Sequence, residues 1–352
     1  MTTSSANADD LDAFAVRIHL WSQGLRSWER RLDHKRTVVA AASLRTYWML
    51  LEAQGKRLHG HARAFRTADA KQLLSTLSAS AHRTLANAAA GSAGARSVAE
   101  SSLAKRAERV YLRADGRGDG RIVEIFGDVV NAEHIVFVVP GMTNDLTNYE
   151  TQLRSKALNL LAEIQRQSPN SKVAVVAWLG YDTPDLTVRG VYQARGSALA
   201  KEGATALLAD LLIVRRLNPQ AHITAVGHSY GSVVLGQAMR HDLDAAGISD
   251  VVVVGSPGMD ATSRSGLRSP GVQLWASKGT VAPIVPLYSP FPDVKKVTID
   301  PIAFAPAHGE DPSAKGFGAR RFSSEGVVSH GGYFESGSTS LKNIGRIALG
   351  RG

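Results

Sequence analysis

The apolar residues of this 352-residue chain follow two different patterns along its length. From residue 11 to about residue 109 they recur at helical spacing, as at Tyr47 and Leu51, and no proline interrupts them. We expect two to four packed helices in this region, with breaks near Gly60 and at residues 90–95, where glycine and alanine loosen the pattern. Such apolar stripes are typical of helix packing rather than of a ligand site.

The pattern changes at the turn-forming residues 115–119, so the sequence divides into a helical region (residues 1–114) and a second domain (residues 115–352). Beyond the turn, short apolar runs alternate with helical stretches, which is typical of a parallel sheet with crossover helices. Strands are expected at residues 121–129, 135–139, 172–178, 222–226, 250–254 and 272–276, and helices at residues 149–167, 191–217, 232–240 and 338–349. The predicted fold class is therefore α/β, with a mostly parallel central sheet preceded by an α-helical region.

A G-x-S-x-G motif, reading G-H-S-Y-G with Ser229 at its centre, joins an expected strand to an expected helix. A strand that reverses sharply into a helix forces the central residue into a strained backbone conformation, and glycines on both sides leave room for it. The serine would then stand at the carboxyl end of the sheet, above the positive end of the following helix. The context favours Ser229 as a nucleophile; the alternative is a tight turn without chemistry.

A second motif follows the expected strand at residues 135–139, where the chain reads Pro140-Gly141-Met142. An apolar strand that ends in a glycine turn is where such a sheet places backbone amides facing the nucleophile. We expect the amides of Met142 and Tyr230 to form an oxyanion hole. The alternative is that Pro140 and Gly141 only end a strand.

A serine nucleophile needs a base, normally a histidine that a carboxylate holds in one tautomer. Three histidines follow Ser229 in the sequence, and His241 falls at the far end of the next helix. We expect His330, in a loop just before the final helix, to be the base. His308 lies in a proline-rich segment and is the alternative, while His228 beside the serine is expected to be structural.

Six motifs in order, G-H-S-Y-G-S, V-V-V-V-G-S-P-G, H-G-E-D-P, F-G-A-R-R-F, S-H-G-G-Y-F and S-L-K-N-I-G-R-I, resemble those of an actinobacterial α/β-hydrolase family known as the domain of unknown function 1023. The resemblance extends from about Arg121 to the C-terminus. It implies an α/β-hydrolase fold of the lipase and esterase type, and it suggests Ser229 and His330 as catalytic residues.

The acid is where the chain departs from that family. Such hydrolases place it after the strand that follows G-S-P-G, and this chain has Ala282 there, which cannot orient an imidazole. Asp260 is the best substitute by position, because it follows the preceding strand, although a helix N-cap role is an equal alternative. Asp293, Asp300 and Asp311 also remain candidates.

Composition adds limits on partners and location. Residues 1–110 contain 17 Lys and Arg against 9 Asp and Glu, but these charges are dispersed, so we expect a solvated helix surface and no nucleic-acid partner. The chain has no cysteine, no conventional signal sequence and no apolar run of about 18 residues. A cytoplasmic protein without transmembrane segments, metal or organic cofactor is expected, and its oligomeric state is open.

The predicted function is that of a serine hydrolase which cleaves a small-molecule ester or a lipid-like substrate through an acyl-enzyme. The missing acid at Ala282 supports an alternative, in which a catalytically impaired hydrolase fold serves as a binding or interaction protein.

Overall fold

In a computed structural model, the described residues are 8–33, 38–91, 94–116, 118–241, 243–279, 285–287, 297–299 and 307–352. The chain divides into two compact units, Met1–Leu73 and Leu74–Gly352. The division falls inside a long helix, well before the boundary expected at residue 114.

The first unit contains helix α1 (Ala8–Asp33) and the amino-terminal part of helix α2 (Val38–Gly91). The two helices run antiparallel, since Arg26 contacts Glu52 and Asp12 contacts His59. The break expected near Gly60 is wrong, because α2 continues through it. Nothing lies within 4 Å of a Cβ built there, and a solvated glycine costs a helix only about 1 kcal/mol.

The second unit is built on an eight-stranded sheet of order β1-β2-β4-β3-β5-β6-β7-β10. Strands β4, β3, β5, β6, β7 and β10 are parallel, while β1 and β2 form an antiparallel hairpin at one edge, so the expected mostly parallel sheet is confirmed. The strands are β1 (Val110–Asp115), β2 (Arg121–Phe126), β3 (His134–Val139), β4 (Val173–Leu179), β5 (His222–His228), β6 (Ile248–Val254), β7 (Gln273–Ser277), β8 (Val285–Leu287), β9 (Val297–Ile299) and β10 (Arg320–Arg321). Strands β8 and β9 form a separate antiparallel pair.

Strand β1 lies inside the region expected to be helical. Its sequence, V-Y-L-R-A-D, begins with two residues that favour strands, Val110 and Tyr111, and it pairs with β2 from Val110 opposite Ile125 to Asp115 opposite Arg121. The turn-forming residues 115–119 therefore lie at the turn of a β-hairpin.

The helices of the second unit connect these strands. They are α3 (Ala95–Ala104), α4 (Ser155–Gln167) with a π-helical turn before it (Glu150–Arg154), α5 (Val188–Ala194), α6 (Ala198–Leu217), α7 (Gly231–Met239) and α8 (Thr339–Ala348). The single helix expected at residues 191–217 is two helices, interrupted around Gly196. Helix α4 packs against α8, and α6 packs against α7.

The core lies around the central strands, which read as continuous apolar runs because both sheet faces are covered. Every residue of β4 is buried, and so is every residue of α7. The carboxyl ends of β3, β5 and β6 therefore stand on a rigid base. Loops that leave this edge can hold side chains in fixed positions.

Candidate active site

Ser229 occupies a strained turn between β5 and α7. Its φ is 56°, one of three positive values among the described residues other than glycine. A Cβ at Gly227 would lie 2.7 Å from Leu235 Cδ1, and one at Gly231 would lie 2.5 Å from the Val139 carbonyl oxygen. Only glycine fits at either position, so the motif's two glycines allow the tight approach that holds the serine in the left-handed region.

The loop after β3 lies directly against this serine. A Cβ built at Gly141 would stand 2.6 Å from Ser229 Cβ and 3.0 Å from Ser229 Oγ. The side chain of Asn144 braces the loop by donating hydrogen bonds to the carbonyls of Met142 and Gly141. The sequence did not single out this asparagine.

Two backbone amides beside the serine have no partner among the described residues. Within the described part of the chain, neither Met142 nor Tyr230 donates a hydrogen bond from its amide, whereas the amide of Thr143 donates to Pro184 and that of Ser229 to Val254. Tyr230 is the N-cap of α7, where an amide has no intrahelical partner, and Met142 is half-buried, so both amides remain available to an acceptor. These are the two amides that the sequence predicts for an oxyanion hole.

His330 lies close to His228, the residue before Ser229, and to Gly255, the residue after β6. A Cβ at Gly255, the residue after β6, would be 3.3 Å from His330 Cε1. His228 donates from Nε2 to the His330 carbonyl at 2.7 Å, and the two rings stand 4.6 Å apart. His228 therefore anchors the loop of His330, which agrees with the structural role expected for it.

The imidazole of His330 has no carboxylate partner among the described residues. Its Nδ1 is buried without a hydrogen bond. Burial, together with the Lys156 ammonium, lowers the pKa of His330 to about 4. No hydrogen bond joins its ring to Ser229 in the described structure; in unliganded enzymes this contact often tightens only when substrate binds.

Asp260 pairs with His308 instead of His330. Its carboxylate accepts a hydrogen bond from His308 Nδ1 at 2.7 Å and another from Gln237. Burial would raise the pKa of Asp260, but hydrogen bonds from His308, Ser197 and Gln237 hold it below its usual value. The expectation that Asp260 orients His330 therefore does not match the observed contacts.

The backbone explains this outcome. After β6, Gly255, Gly258 and Asp260 all have positive φ values, of 56°, 122° and 53°. These turns bring the carboxylate beside Gln237 of α7. The alternative role expected for Asp260, an N-cap, is not observed either, since only a three-residue 3₁₀ helix follows it, at Arg264–Gly266, with Ser263 at its N-cap.

His308 is fully buried and both of its ring nitrogens are engaged. Nδ1 faces Asp260, and Nε2 faces the Ala194 carbonyl at 2.6 Å. Both partners are acceptors, so a ring that carries a proton on each nitrogen donates to both. In this arrangement His308 has no free nitrogen to offer Ser229.

Of the other acid candidates, only Asp311 lies among the described residues. Asp293 and Asp300 lie outside them, as does Ala282. Asp311 binds Lys278 at 3.0 Å and caps its own turn through Ser313.

Lys156 is a residue that the sequence did not single out. It lies near the start of α4, half-buried, and burial lowers its pKa from 10.5 to about 8. Its charge lowers the pKa of His228, after the larger effect of burial, as it does that of His330. A polar residue on the inner face of an amphipathic helix was the only sequence signal that pointed to it.

Within the described ranges, no group of three or more His, Asp or Glu side chains is arranged to hold a metal ion. None of the helices in the same ranges combines the length and the apolar character needed to cross a bilayer.

Part of this chain is similar in sequence to known proteins. A family model described as alpha/beta hydrolase matches residues 115–289. An uncharacterized protein of Mycobacterium tuberculosis is 30% identical over 252 residues, which cover 67% of this chain and 38% of that protein. An uncharacterized protein of Mycobacterium bovis is 36% identical over 154 residues, 40% of this chain and 53% of its own length. The chain thus spans about two fifths to half of these curated relatives.

Among solved structures, one from Xanthomonas campestris, described as a member of the α/β serine hydrolases without lid, is similar to this chain at 15% sequence identity. The match covers 69% of this chain and 94% of that one, with a TM-score of 0.39.

Proposed function

The chain has the α/β-hydrolase fold, and we propose that it is a serine hydrolase that cleaves carboxylic esters. The observation that carries the proposal is the pairing of a strained serine with two free amides. Ser229 has a φ of 56°, and the amides of Met142 and Tyr230 flank it without partners in the described structure. Backbone strain costs stability, and catalysis is a physical reason for retaining it beside amides that can donate to an oxyanion.

The proposed reaction has two halves. Ser229 Oγ attacks the carbonyl carbon of the ester while His330 Nε2 takes its proton. The carbonyl oxygen becomes an oxyanion, to which the amides of Met142 and Tyr230 donate. His330 then protonates the leaving alkoxide, and an acyl-enzyme results.

In the second half, His330 takes a proton from water, which attacks the acyl carbon. The same two amides hold the second oxyanion. Ser229 leaves with the proton from His330, and the free acid departs. Burial lowers the pKa of His330 to about 4, so its ring is neutral at pH 7, while the same burial disfavours the imidazolium and makes the ring a weaker base than a histidine of ordinary pKa.

A fluorophosphonate probe tests this proposal without knowledge of the substrate. It should label the wild-type protein, and mass spectrometry should find the adduct on the peptide with Ser229. Ser229→Ala should abolish labelling. Ser256→Ala is the matched control, since Ser256 also follows a buried strand but hydrogen-bonds to Ser232 and Gly258. An adduct on another serine, or none on folded protein, would reject the proposal.

A binding protein with an inactive site is the second candidate. Two observations favour it. His330 Nδ1 has no hydrogen-bond partner among the described residues, and Asp260 is hydrogen-bonded to His308 and not to His330. In that case a correctly folded wild type should resist the probe, and Ser229→Ala should leave its ligand affinity unchanged.

A further inference from the structure

One face of helix α4 carries three polar residues at spacings of three and four, Lys156, Asn159 and Glu163, so they lie in one stripe. Asn159 donates to the Phe334 carbonyl at 3.0 Å. A Cβ at Gly345 of α8 would be 3.6 Å from Glu163 Cγ. This stripe therefore follows α8 and the 3₁₀ turn that comes directly after His330.

Lys156 is the member of the stripe nearest to the amino end of α4. Helix α4 connects the carboxyl end of β3 to the amino end of the parallel strand β4, so its first turn lies at the carboxyl edge of the sheet. The stripe passes Phe334 at Asn159, and Lys156 stands one turn closer to that edge. Its side chain thus lies on the face of α4 whose Asn159 binds Phe334, in the 3₁₀ turn after His330.

The ammonium group of Lys156 has no anionic partner within the described part of the chain. The ion pairs of that part join other lysines and arginines to carboxylates, including Arg154 to Glu124 two residues earlier. The groups that sense the Lys156 charge are the rings of His228 and His330. A half-buried cation without a counter-ion is unfavourable, and a bound anion would remove that cost.

We propose that Lys156 binds a negatively charged group of the substrate, so that the enzyme prefers esters that carry a carboxylate. This inference rests on the proposed hydrolase function, whose site it completes. The carboxylate accepts hydrogen bonds from the Lys156 ammonium while the ester carbonyl lies against Ser229. A charge-assisted contact of this kind should contribute about tenfold to hundredfold in affinity.

Binding to the Ser229→Ala protein tests the inference separately from turnover. Calorimetry would compare 4-nitrophenyl hydrogen glutarate, which has a carboxylate on its acyl side, with neutral 4-nitrophenyl pentanoate of similar length. A third ester, 4-carboxyphenyl pentanoate, places the carboxylate on the alcohol side. At least one anionic ester should bind at least tenfold more tightly than the neutral ester, and the one that does identifies the charged side.

The Lys156→Met exchange, added to Ser229→Ala, should remove this preference and leave binding of the neutral ester unchanged. Lys156→Arg should keep most of the preference for anionic esters. Lys172→Met, which removes an exposed lysine before β4 at the opposite end of the strands, is the matched control and should have no effect. A thermal melt confirms that each variant folds.

Two results would overturn the inference: equal affinity for anionic and neutral esters in the Lys156 protein, or a preference that survives Lys156→Met. Either can occur while the probe still labels Ser229 in the wild type, in which case the hydrolase proposal stands and the anion site fails. If the probe does not label Ser229 but anionic esters still bind in a Lys156-dependent way, the hydrolase proposal fails and the anion site stands.

Discussion

The loop of His308 and the loop of His330 both meet the carboxyl edge of the sheet, and they differ in how their polar atoms are paired. His308 is fully buried, with a carboxylate on one ring nitrogen and a carbonyl on the other. His330 is half-buried, its Nδ1 has no partner in the described structure, and it lies beside the residue that follows β6. The first ring is saturated with hydrogen bonds and the second is not.

On the proposed function, the difference distinguishes a structural histidine, His308, from the histidine that we propose as the base, His330. A buried polar group that satisfies all its hydrogen bonds stabilises the fold and has no capacity left for substrate. An imidazole with a free nitrogen and a lowered pKa costs stability, and such groups concentrate at functional sites. The presence of a nearby carboxylate therefore does not identify the base.

Glycine substitutions should give the largest contrast between the two regions. Gly141→Ala should displace Ser229, because the new methyl group would be 2.6 Å from its Cβ. A shift of about 1 Å costs about a hundredfold in rate. Steady-state hydrolysis of an activated short-chain ester measures this loss.

Gly258→Ala is the matching change near His308, where the new methyl group would meet the His308 carbonyl in a backbone with a φ of 122°. It should lower the melting temperature, and activity per folded molecule should fall less than for Gly141→Ala. The reverse ranking of the two variants would argue against the assignment of the two regions.

Asp260→Asn should act on stability more than on chemistry. It removes the negative charge from a buried pair with His308, and breaking such pairs costs about 3–5 kcal/mol. Asp311→Asn is the control, since its more exposed pair with Lys278 should contribute about 0–1 kcal/mol. Urea unfolding measures both changes.

Rate measurements on the folded Asp260→Asn protein complete this test. Loss of the acid from a working triad lowers turnover by about 10⁴. We expect a much smaller change, because Asp260 does not contact His330. A loss of turnover of about 10⁴ with unaltered stability would instead identify Asp260 as the acid of a triad.

The pH profile should show the smallest of these effects. His330 must be neutral to act as base, and burial lowers its pKa from 6.5 to about 4, so kcat/KM should be constant above that value and fall as the pH drops through about 4. The Lys156 ammonium adds to this lowering. Lys156→Met should therefore move the acid limb to higher pH, and Lys172→Met should not. An acid limb near 6.5 in the wild type would contradict the environment assigned to His330.

Local sequence was sufficient for the features that depend on neighbouring residues. The G-x-S-x-G motif predicts a sharp turn because its requirement for glycine arises within five residues, and Ser229 has the expected backbone. The sequence also predicted the alternation of strands and helices after β2, because apolar residues recur with different periods in strands and helices and because the two kinds of segment differ in length. The sequence did not predict strand β1, because its six residues directly follow a long helical pattern of apolar residues. The strand forms by pairing with β2.

Contacts between distant segments could not be read in the same way. Asp260 and His308 are 48 residues apart, and their pairing depends on three left-handed turns after β6. Lys156 reaches the His330 region only because α4 packs along α8. The order of strands and loops predicted which segments lie at the carboxyl edge of the sheet, but it did not predict which of their side chains are in contact.

The rate of fluorophosphonate labelling in two histidine variants tests the central claim most directly. His330→Gln should slow labelling of Ser229 by about 10³ or more, since the serine loses its base. His308→Gln, corrected for the folded fraction, should label at nearly the wild-type rate. Equal labelling of wild type and His330→Gln, or a larger loss in His308→Gln, would contradict the assignment of His330 as the base.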